Sequence, residues 1–368
     1  MFNLSFKPAK NSIRTADLHS SWLVTDNDLN PSTFGADFNF HRFKVKSKIS
    51  HETQNPESKK PDFIQYNEPT TKADMAILLV YFNPCKYKRI IQNALLVKQQ
   101  MDCANMPYFI GEIKHDSDLS YLFQKSDNVF QYSSNSYLFY KENLISTIEN
   151  KISDNFTKIC IMDFDVFFDN PDWYSIVSEK LNSVQVVQPF KYAHFLNIDF
   201  SIGQTKSNCV DNKTTEPIDY VAEHSGFVWA FDREWFKSYF FDDKFISGIG
   251  DTIFANNITK RSFNDVGSQF YYKYNSSDIL FSDVVKYDSC ELNVYHLNHG
   301  PLANRQYANI IVLINEIFVK NNIKTIDEIF LRREDNILEF HPRHLIVLNE
   351  FMLAYFKRRD DDFVHLLM

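Results

Sequence analysis

Several residue types and patterns are scarce in this 368-residue chain, and each scarcity narrows the class of protein. Only 8 glycines are present, so a glycine beside polar residues is informative about a site. The five cysteines are far apart and form no C-x-x-C pair, so neither a disulfide framework nor a zinc knuckle is predicted. A reducing compartment, the cytoplasm, is therefore expected. The cysteines are Cys85, Cys103, Cys160, Cys209 and Cys290.

Long runs of one kind of residue are also absent. No run of Lys or Arg is long enough to follow a phosphate backbone, and the formal net charge is −8, so nucleic acid is not an expected partner. No stretch reaches the roughly 18 apolar residues of a membrane span. The N-terminal MFNLSFKPAKNSIRT lacks the apolar run of a signal peptide. We therefore expect no transmembrane segment.

Composition divides the chain into three parts. Residues 1–72 are polar and mixed, and they end in the Pro-, Lys- and Glu-rich HETQNPESKKPDFIQYNEPTTK. We interpret them as an N-terminal extension and linker, in which SWLV and FNFHRFKV could add strands. Residues 73–307 form the main domain. Residues 308–368 carry two amphipathic helical patterns, NIIVLINEIFVKN and HLIVLNEFMLAYFKRR, and are predicted to pack on the main domain.

Strands alternate with helices along the main domain. MAILLVYF, which begins at Met75, is a continuous apolar run of strand length, typical of a strand buried on both faces. YKRIIQNALLVKQQM has helical spacing, and PYFIGEI, LISTIENKI and KICIMDF continue the alternation. SVQVVQPF and GFVWAF are further strands, and DREWFKSYF is a helix. This order predicts an α/β fold, Rossmann-like, with a mostly parallel central sheet flanked by helices.

Two acidic residues follow the strand KICIM. Asp163 and Asp165 stand at positions i and i+2, so on extended backbone both carboxylates face one side. One hard cation, Mn²⁺ or Mg²⁺, could bind both while it holds phosphate oxygens. The alternative is that acidic residues simply end the strand in a turn. Ligands of open α/β sheets bind at the carboxyl ends of the strands, where Tyr81, Asn83 and Glu112 also lie.

Two segments place glycine beside polar or aromatic residues. In SGFVWAFDREWF, Gly226 could let a ligand approach the backbone, and Trp229 could offer a flat ring to a sugar. The alternative for Trp229 is a buried ring in an aromatic-rich core. In FISGIGDTIFANN, Gly248 and Gly250 precede Asp251, which could be either a general base for a hydroxyl or a helix N-cap.

Histidines and basic residues supply further candidates. His296 and His299 in VYHLNHGPLANRQY stand at i and i+3 and could reach one metal from a turn, although a single histidine is usually a core residue. Imidazoles with carboxylates and no thiolate suit Mn²⁺ better than zinc. Arg305 could pair with phosphate oxygens. Lys141 and Asn143 open a helix where either could contact an anionic ligand, or could simply be solvated.

In this order, the segments resemble the GT-A glycosyltransferases, in particular the galactosyltransferase-like group and related bacterial and viral enzymes. The resemblance covers Met75 to Tyr307 and rests on Y-F-N-P, K-E-N, M-D-F-D-V-F-F, G-F-V-W-A-F-D-R-E-W, G-I-G-D-T-I-F and H-L-N-H-G. It implies a GT-A catalytic domain over residues 73–307. The implied reaction moves a sugar from a nucleotide-sugar donor, with UDP as the expected nucleotide, to a glycan or other hydroxyl acceptor.

The resemblance also implies roles for single residues. Tyr81 and Asn83 would lie at the nucleotide base, Glu112 near the base or ribose, and Lys141 and Arg305 would contact the donor. The metal ligands would be Asp163, which also lies at the ribose, Asp165, His296 and His299. The pocket for the donor sugar and the acceptor would be shaped by Gly226, Trp229 and Gly250. Asp251 would be the base of an inverting displacement.

One position departs from the family pattern, and two other classes of protein stay open. The family commonly has two adjacent acidic residues where this chain has Asp251-Thr252, so the assignment of the general base depends on one carboxylate. A nucleotidyltransferase would also use paired carboxylates, but it normally has a Gly-rich basic loop after the first strand, whereas YFNPCKYKR contains no Gly. A non-catalytic sugar-binding protein on the same fold would not need Asp251 and both histidines.

Overall fold

The computed structural model describes residues 65–69, 73–239, 243–262, 266–274 and 285–363. Most of the extension predicted over residues 1–72, including SWLV and FNFHRFKV, lies outside the described residues. Tyr66, which belongs to that extension, is buried and meets Trp173 edge-on at 5.9 Å. Its hydroxyl accepts a hydrogen bond from the Phe168 N–H. The segment 65–69 therefore packs against the main domain.

A seven-stranded sheet in the order β11-β6-β10-β4-β1-β2-β3 forms the centre of the main domain. Strand β1 is parallel to β2 and β4, β2 to β3, and β6 to β11, whereas β10 is antiparallel to both of its neighbours. The prediction of a mostly parallel central sheet is confirmed. These strands are β1 (Met75–Tyr81), β2 (Tyr108–His115), β3 (Val129–Ser134), β4 (Lys158–Met162), β6 (Val186–Gln188), β10 (Val228–Asp232) and β11 (Tyr287–Ser289).

Helices cover both faces of this sheet, as the apolar run of β1 predicts. Ala76 and Leu78 point into the core shared with α2, α5, α8 and α9, and Ile77 and Leu79 point into the core shared with α1 and α3. The helices are α1 (Lys88–Cys103), α2 (Lys141–Glu149), α3 (Trp173–Lys180), α4 (Arg233–Tyr239), α5 (Gly250–Thr259), α6 (Val266–Tyr274), α7 (Leu302–Arg305), α8 (Tyr307–Lys320) and α9 (Leu345–Arg359).

A second sheet, in the order β5-β12-β7-β8-β9, was not predicted from the sequence. Its strands are β5 (Val166–Phe168), β7 (Tyr192–Leu196), β8 (Ile202–Asn208), β9 (Glu223–His224) and β12 (Asn293–His296). Antiparallel pairing of β12 with β5 sets His296 opposite Val166, the residue after Asp165. This pairing brings two distant predicted metal ligands to the same place.

The C-terminal region contains the two predicted helices, α8 and α9, but it is not helical throughout. A 3₁₀ turn at Ile326–Ile329 and a hairpin of β13 (Phe330–Arg332) and β14 (Leu338–Phe340) lie between them. Among the described helices, none is long and apolar enough to cross a membrane. All five cysteines are unpaired.

Candidate active site

A cleft lies at the carboxyl edge of the central sheet. Tyr81 ends β1, Asn83 follows it, and Asp163 follows the neighbouring strand β4. The antiparallel strand β10 begins at the same edge, because the Asp163 N–H donates to the Phe227 carbonyl at 3.0 Å. The side chains after β1 and β4 therefore face those before β10, as expected for a site at the strand ends.

Lys141 joins two carboxylates across this cleft. Its ammonium Nζ lies 2.7 Å from Asp163 Oδ1 and 2.8 Å from Asp251 Oδ2. The Lys141 side chain is 9% exposed, and those of Asp163 and Asp251 are about one quarter exposed. Burial alone would lower the pKa of Lys141, but the two carboxylates hold it above its usual value. Burial raises the pKa of Asp163 to about 6 in spite of this pairing.

Glu142, the next residue of α2, is a buried carboxyl group in the same cleft. Burial and the nearby Asp251 charge raise its pKa to about 8, so Glu142 is protonated at neutral pH. A Cβ on Gly250 would lie 2.0 Å from Glu142 Oε1, so the missing side chain of Gly250 makes room for this carboxyl group. The sequence pattern K-E-N did not identify Glu142.

Gly226 makes room for Asp251 in the same way. A Cβ on Gly226 would lie 2.8 Å from Asp251 Oδ2 and 3.1 Å from Cε1 of His224. The Gly226 N–H donates to Nδ1 of His224 at 2.9 Å, which places the proton of the neutral imidazole on Nε2. Burial lowers the pKa of His224 well below its usual value, so the ring is neutral. The ring stacks on Phe227, with the centroids 3.8 Å apart.

The predicted metal ligands form a compact cluster beside these groups. Asp165 Oδ2 lies 2.8 Å from His299 Nε2 and 3.6 Å from His296 Nε2, and the two Nε2 atoms are 3.2 Å apart. Burial lowers the pKa of His296 to about 3, so this ring is neutral. Burial alone would raise the pKa of Asp165, but His296 and His299 hold it below its usual range.

These three residues fit a small divalent cation. Metal–ligand distances of about 2.0–2.2 Å put neighbouring ligand atoms about 2.8–3.6 Å apart in octahedral or tetrahedral geometry, and the three separations of 2.8, 3.2 and 3.6 Å lie in this range. Asp165 Oδ1 is buried, and it has no hydrogen-bond partner within the described part of the chain. A neutral imidazole and an ionised carboxylate are the forms that bind metal. Asp163 is not in this cluster, because its carboxylate pairs with Lys141.

Arg305 adds positive charge next to the cluster. Its Nη2 lies 2.8 Å from His299 Nε2 and 3.3 Å from His299 Nδ1. Its Nε is buried and has no hydrogen-bond partner among residues that the structure describes. Two residues of the C-terminal region, Arg359 at the end of α9 and Asp361 just after it, also line the cleft. The sequence motifs end at Tyr307 and did not identify either residue.

Nine of the predicted site residues line the cleft. They are Tyr81, Asn83, Lys141, Asp163, Asp165, Asp251, His296, His299 and Arg305. The other two predicted glycines make room for acidic side chains of the cleft. Gly226 lies against Asp251, and Gly250 lies against Glu142.

Glu112 and Trp229 do not line the cleft. The Glu112 carboxylate accepts hydrogen bonds from the Leu122 and Phe123 N–H groups. Trp229 is 3% exposed and meets Phe254 edge-on in the core, which is the alternative that the sequence left open. Among the cleft residues that the sequence motifs did not identify are His224, Glu142, Arg359 and Asp361.

Solved structures similar to this chain include glycosyltransferases, the class that the sequence motifs resemble. Drosophila β1,4-galactosyltransferase 7 with xylobiose is 15% identical, with 51% of this chain and 62% of that chain covered and a TM-score of 0.30. The chain thus spans less than two thirds of that structure. Glucosyl-3-phosphoglycerate synthase from Mycobacterium tuberculosis with Mg²⁺ and UDP is 9% identical (75% and 94% covered, TM-score 0.33). Mannosyl-3-phosphoglycerate synthase from Rubrobacter xylanophilus is 13% identical (68% and 75% covered, TM-score 0.35). No protein family and no curated protein matches the chain.

Proposed function

We propose that this chain is a metal-dependent glycosyltransferase. It transfers a sugar from a UDP-sugar donor to a hydroxyl group of a glycan or another acceptor, with inversion at the anomeric carbon. The observation that carries the proposal is the convergence of the Asp165–His296–His299 cluster with Lys141-bound Asp251 in one cleft. A metal-dependent, inverting sugar transfer uses both parts, because the cation stabilises the leaving diphosphate and the carboxylate takes a proton from the acceptor.

The donor's diphosphate is proposed to lie at the cation cluster. Asp165, His296 and His299 would hold Mn²⁺ or Mg²⁺, and the ion would supply positive charge beside the leaving diphosphate. Arg305 supports this placement, because its buried Nε–H lacks a partner among the described residues and can donate to a phosphate oxygen. Asp163 lies outside the cluster, and its Oδ1 pairs with Lys141, so we propose it as a contact of the ribose and, through its other oxygen, as a further metal ligand.

The nucleotide base is proposed to lie against the end of β1. Tyr81 lines the cleft there, and the Asn83 amide is bonded to both N–H and C=O of Tyr87, which fixes the turn after β1. Glu112 supports this region indirectly, because the Phe123 backbone that it binds carries a ring 5.5 Å from the Tyr81 ring. We therefore place Glu112 beneath the base site rather than in it.

Asp251 is proposed as the general base. Its Oδ2 is fixed by Lys141, and the side chain remains about one quarter exposed to the cleft. The acceptor hydroxyl would give its proton to this carboxylate as the new C–O bond forms. The bond between the anomeric carbon and the diphosphate oxygen breaks on the opposite side, so the configuration inverts.

A panel of UDP-sugars, tested by thermal shift and by UDP release with Mn²⁺ or with a chelator, tests this proposal. Ligands that bind the folded state raise its unfolding midpoint by mass action. We expect a rise with Mn²⁺ alone, a further rise when a UDP-sugar is added to the Mn²⁺-loaded chain, and none with a UDP-sugar after chelation. UDP release should need an acceptor. Pyrophosphate release from a nucleoside triphosphate and a sugar phosphate would instead indicate a nucleotidyltransferase. Metal-independent sugar binding without turnover would indicate a non-catalytic protein.

A further inference from the structure

The last residue of α9 and the chain after it, residues 359–362, are fixed against the Asp165–His296–His299 cluster. Asp360 adopts a left-handed conformation (φ 47°, ψ 54°), which turns the chain at the end of the helix. The next but one residue, Asp362, accepts hydrogen bonds from the backbone N–H groups of Lys88 and Arg89 in the first turn of α1. The two anchors hold this segment at the edge of the sheet where β1 ends.

Gly300, which directly follows His299, is fitted to the same segment. Its φ is +66°, a conformation that favours glycine. A Cβ on Gly300 would lie 2.8 Å from the Asp360 carbonyl oxygen and 2.8 Å from the Asp361 Cα. Only glycine at position 300 lets residues 359–362 lie this close to the chain that follows His299.

The close packing at Gly300 lets the Asp361 side chain contact His299. Its Oδ1 lies 3.0 Å from His299 Nδ1, its Oδ2 lies 3.1 Å from Arg359 Nε, and the residue is 3% exposed. Because the Asp361 carboxylate forms an ion pair with the Arg359 guanidinium, its other oxygen accepts the hydrogen bond, and the N–H at Nδ1 of His299 is the donor.

That hydrogen bond fixes which nitrogen of His299 faces the cluster. With Nδ1 bound to Asp361, Nε2 points at Asp165 Oδ2 and His296 Nε2, at 2.8 and 3.2 Å. A carboxylate that accepts from the far ring nitrogen holds an imidazole in the orientation and tautomer that metal binding requires. The resemblance to GT-A glycosyltransferases ends at Tyr307, so it does not include Asp361.

We propose that Asp361 is a positioning residue of the cation site, and that the C-terminal segment is therefore part of the site. This inference rests on the proposed function in one respect, that Asp165, His296 and His299 hold a divalent ion. Asp361 itself contacts His299 and Arg359, and it acts through the orientation of His299.

Calorimetric titration of Mn²⁺ into the full chain tests the proposal without a substrate. Asp361→Asn should weaken Mn²⁺ binding by about 10–100-fold, the usual cost of losing such a partner. Asp360→Asn is the matched control, because it changes the adjacent carboxylate and Asn tolerates the left-handed conformation. Wild-type affinity in Asp361→Asn would overturn the positioning role alone. Failure of the wild type to bind Mn²⁺ would overturn both the role and the proposed metal dependence.

A second measurement needs no variant and holds even if Asp361→Asn does not fold. Long-range ¹H–¹⁵N spectra of histidine-labelled wild-type chain report which ring nitrogens are protonated. We expect His299 Nδ1 to be protonated in the metal-free and the Mg²⁺-loaded protein, with Nε2 unprotonated once Mg²⁺ is bound. An unprotonated Nδ1 in either state would contradict the hydrogen bond to Asp361.

Discussion

The ammonium of Lys141 lies 2.8 Å from Oδ2 of Asp251, the proposed base. The same ammonium lies 2.7 Å from Asp163, so one buried cation connects the end of β4 to the first turn of α5. Two carboxylates this close need a positive charge between them. Lys141 therefore sets the distance between Asp163 and Asp251, which are proposed to face the donor and the acceptor.

Replacement of Lys141 tests this connection. Lys141→Met should lower the free energy of unfolding by about 1–3 kcal/mol at pH 7, because it leaves two partly buried carboxylates without their partner. The loss should shrink below about pH 6, since the pKa of Asp163 is raised to about 6 even with Lys141 present. Urea denaturation measures both effects. Lys125→Met, at an exposed lysine, is the control, and an equal effect in both variants would count against the connection.

Asp251 is tested by its neutral isostere. Asp251→Asn should lower kcat by about 10²–10⁴-fold, the usual contribution of a positioned base, while donor affinity stays nearly constant. NMR of the product should show inversion at the anomeric carbon. Asp116→Asn, at an exposed carboxylate, should keep full activity. Near-normal turnover of Asp251→Asn, or a retained configuration, would exclude Asp251 as the base.

Glu142 predicts a particular dependence of stability on pH. Its pKa is about 8 in the folded chain against an ordinary value of 4.5, so between these values the folded state holds a proton that the unfolded state releases. Stability from this group is thus present at low pH and lost as the pH rises towards 8. Glu142→Gln cannot titrate, so it should gain stability relative to the wild type between pH 5 and pH 8. Parallel pH profiles would contradict the prediction, and Glu234→Gln, at an exposed residue, should give such a parallel profile.

Gly250 and Glu142 should be energetically coupled. A Cβ at position 250 would lie 2.0 Å from Glu142 Oε1 and 2.6 Å from its Cδ, so Gly250→Ala should cost about 1–3 kcal/mol by overpacking. In the Glu142→Ala background the same substitution should cost little, because the clash is gone and alanine favours a helix. A double-mutant cycle of unfolding free energies measures this coupling. Strict additivity of the two changes would rule it out.

Much of the central fold follows from the sequence, because β1 and β4 are long apolar runs with polar residues directly after them. Parallel strands bring those ends together, which places Tyr81, Asn83 and Asp163 at one edge. The second sheet was missed because four of its strands are only two to five residues long, and the seven-residue β8 interleaves exposed and buried positions. Short strands of this kind have no apolar run to identify them.

The site features that the sequence did not predict depend on contacts between residues that are distant in the sequence. His299 and Asp361 are 62 positions apart, so no local pattern relates them. Trp229 lies on a strand buried on both faces, where alternation cannot tell which ring faces a ligand and which faces the core. Glu142 was missed because a carboxyl group at a helix start is ordinarily exposed, and only the tertiary structure buries it. Gly300 was the one local sequence feature that indicated close packing beside His299.

Calorimetric titration of UDP into the full chain, with saturating Mn²⁺ and again after exhaustive chelation, tests the central claim most directly. Asp163 and Asp165 repel a diphosphate unless a cation lies between them. We predict UDP binding in the presence of Mn²⁺ and none after chelation, and a loss of binding in Asp165→Asn, which should stay folded. Equal UDP affinity with and without Mn²⁺ would contradict the proposed metal-dependent donor site.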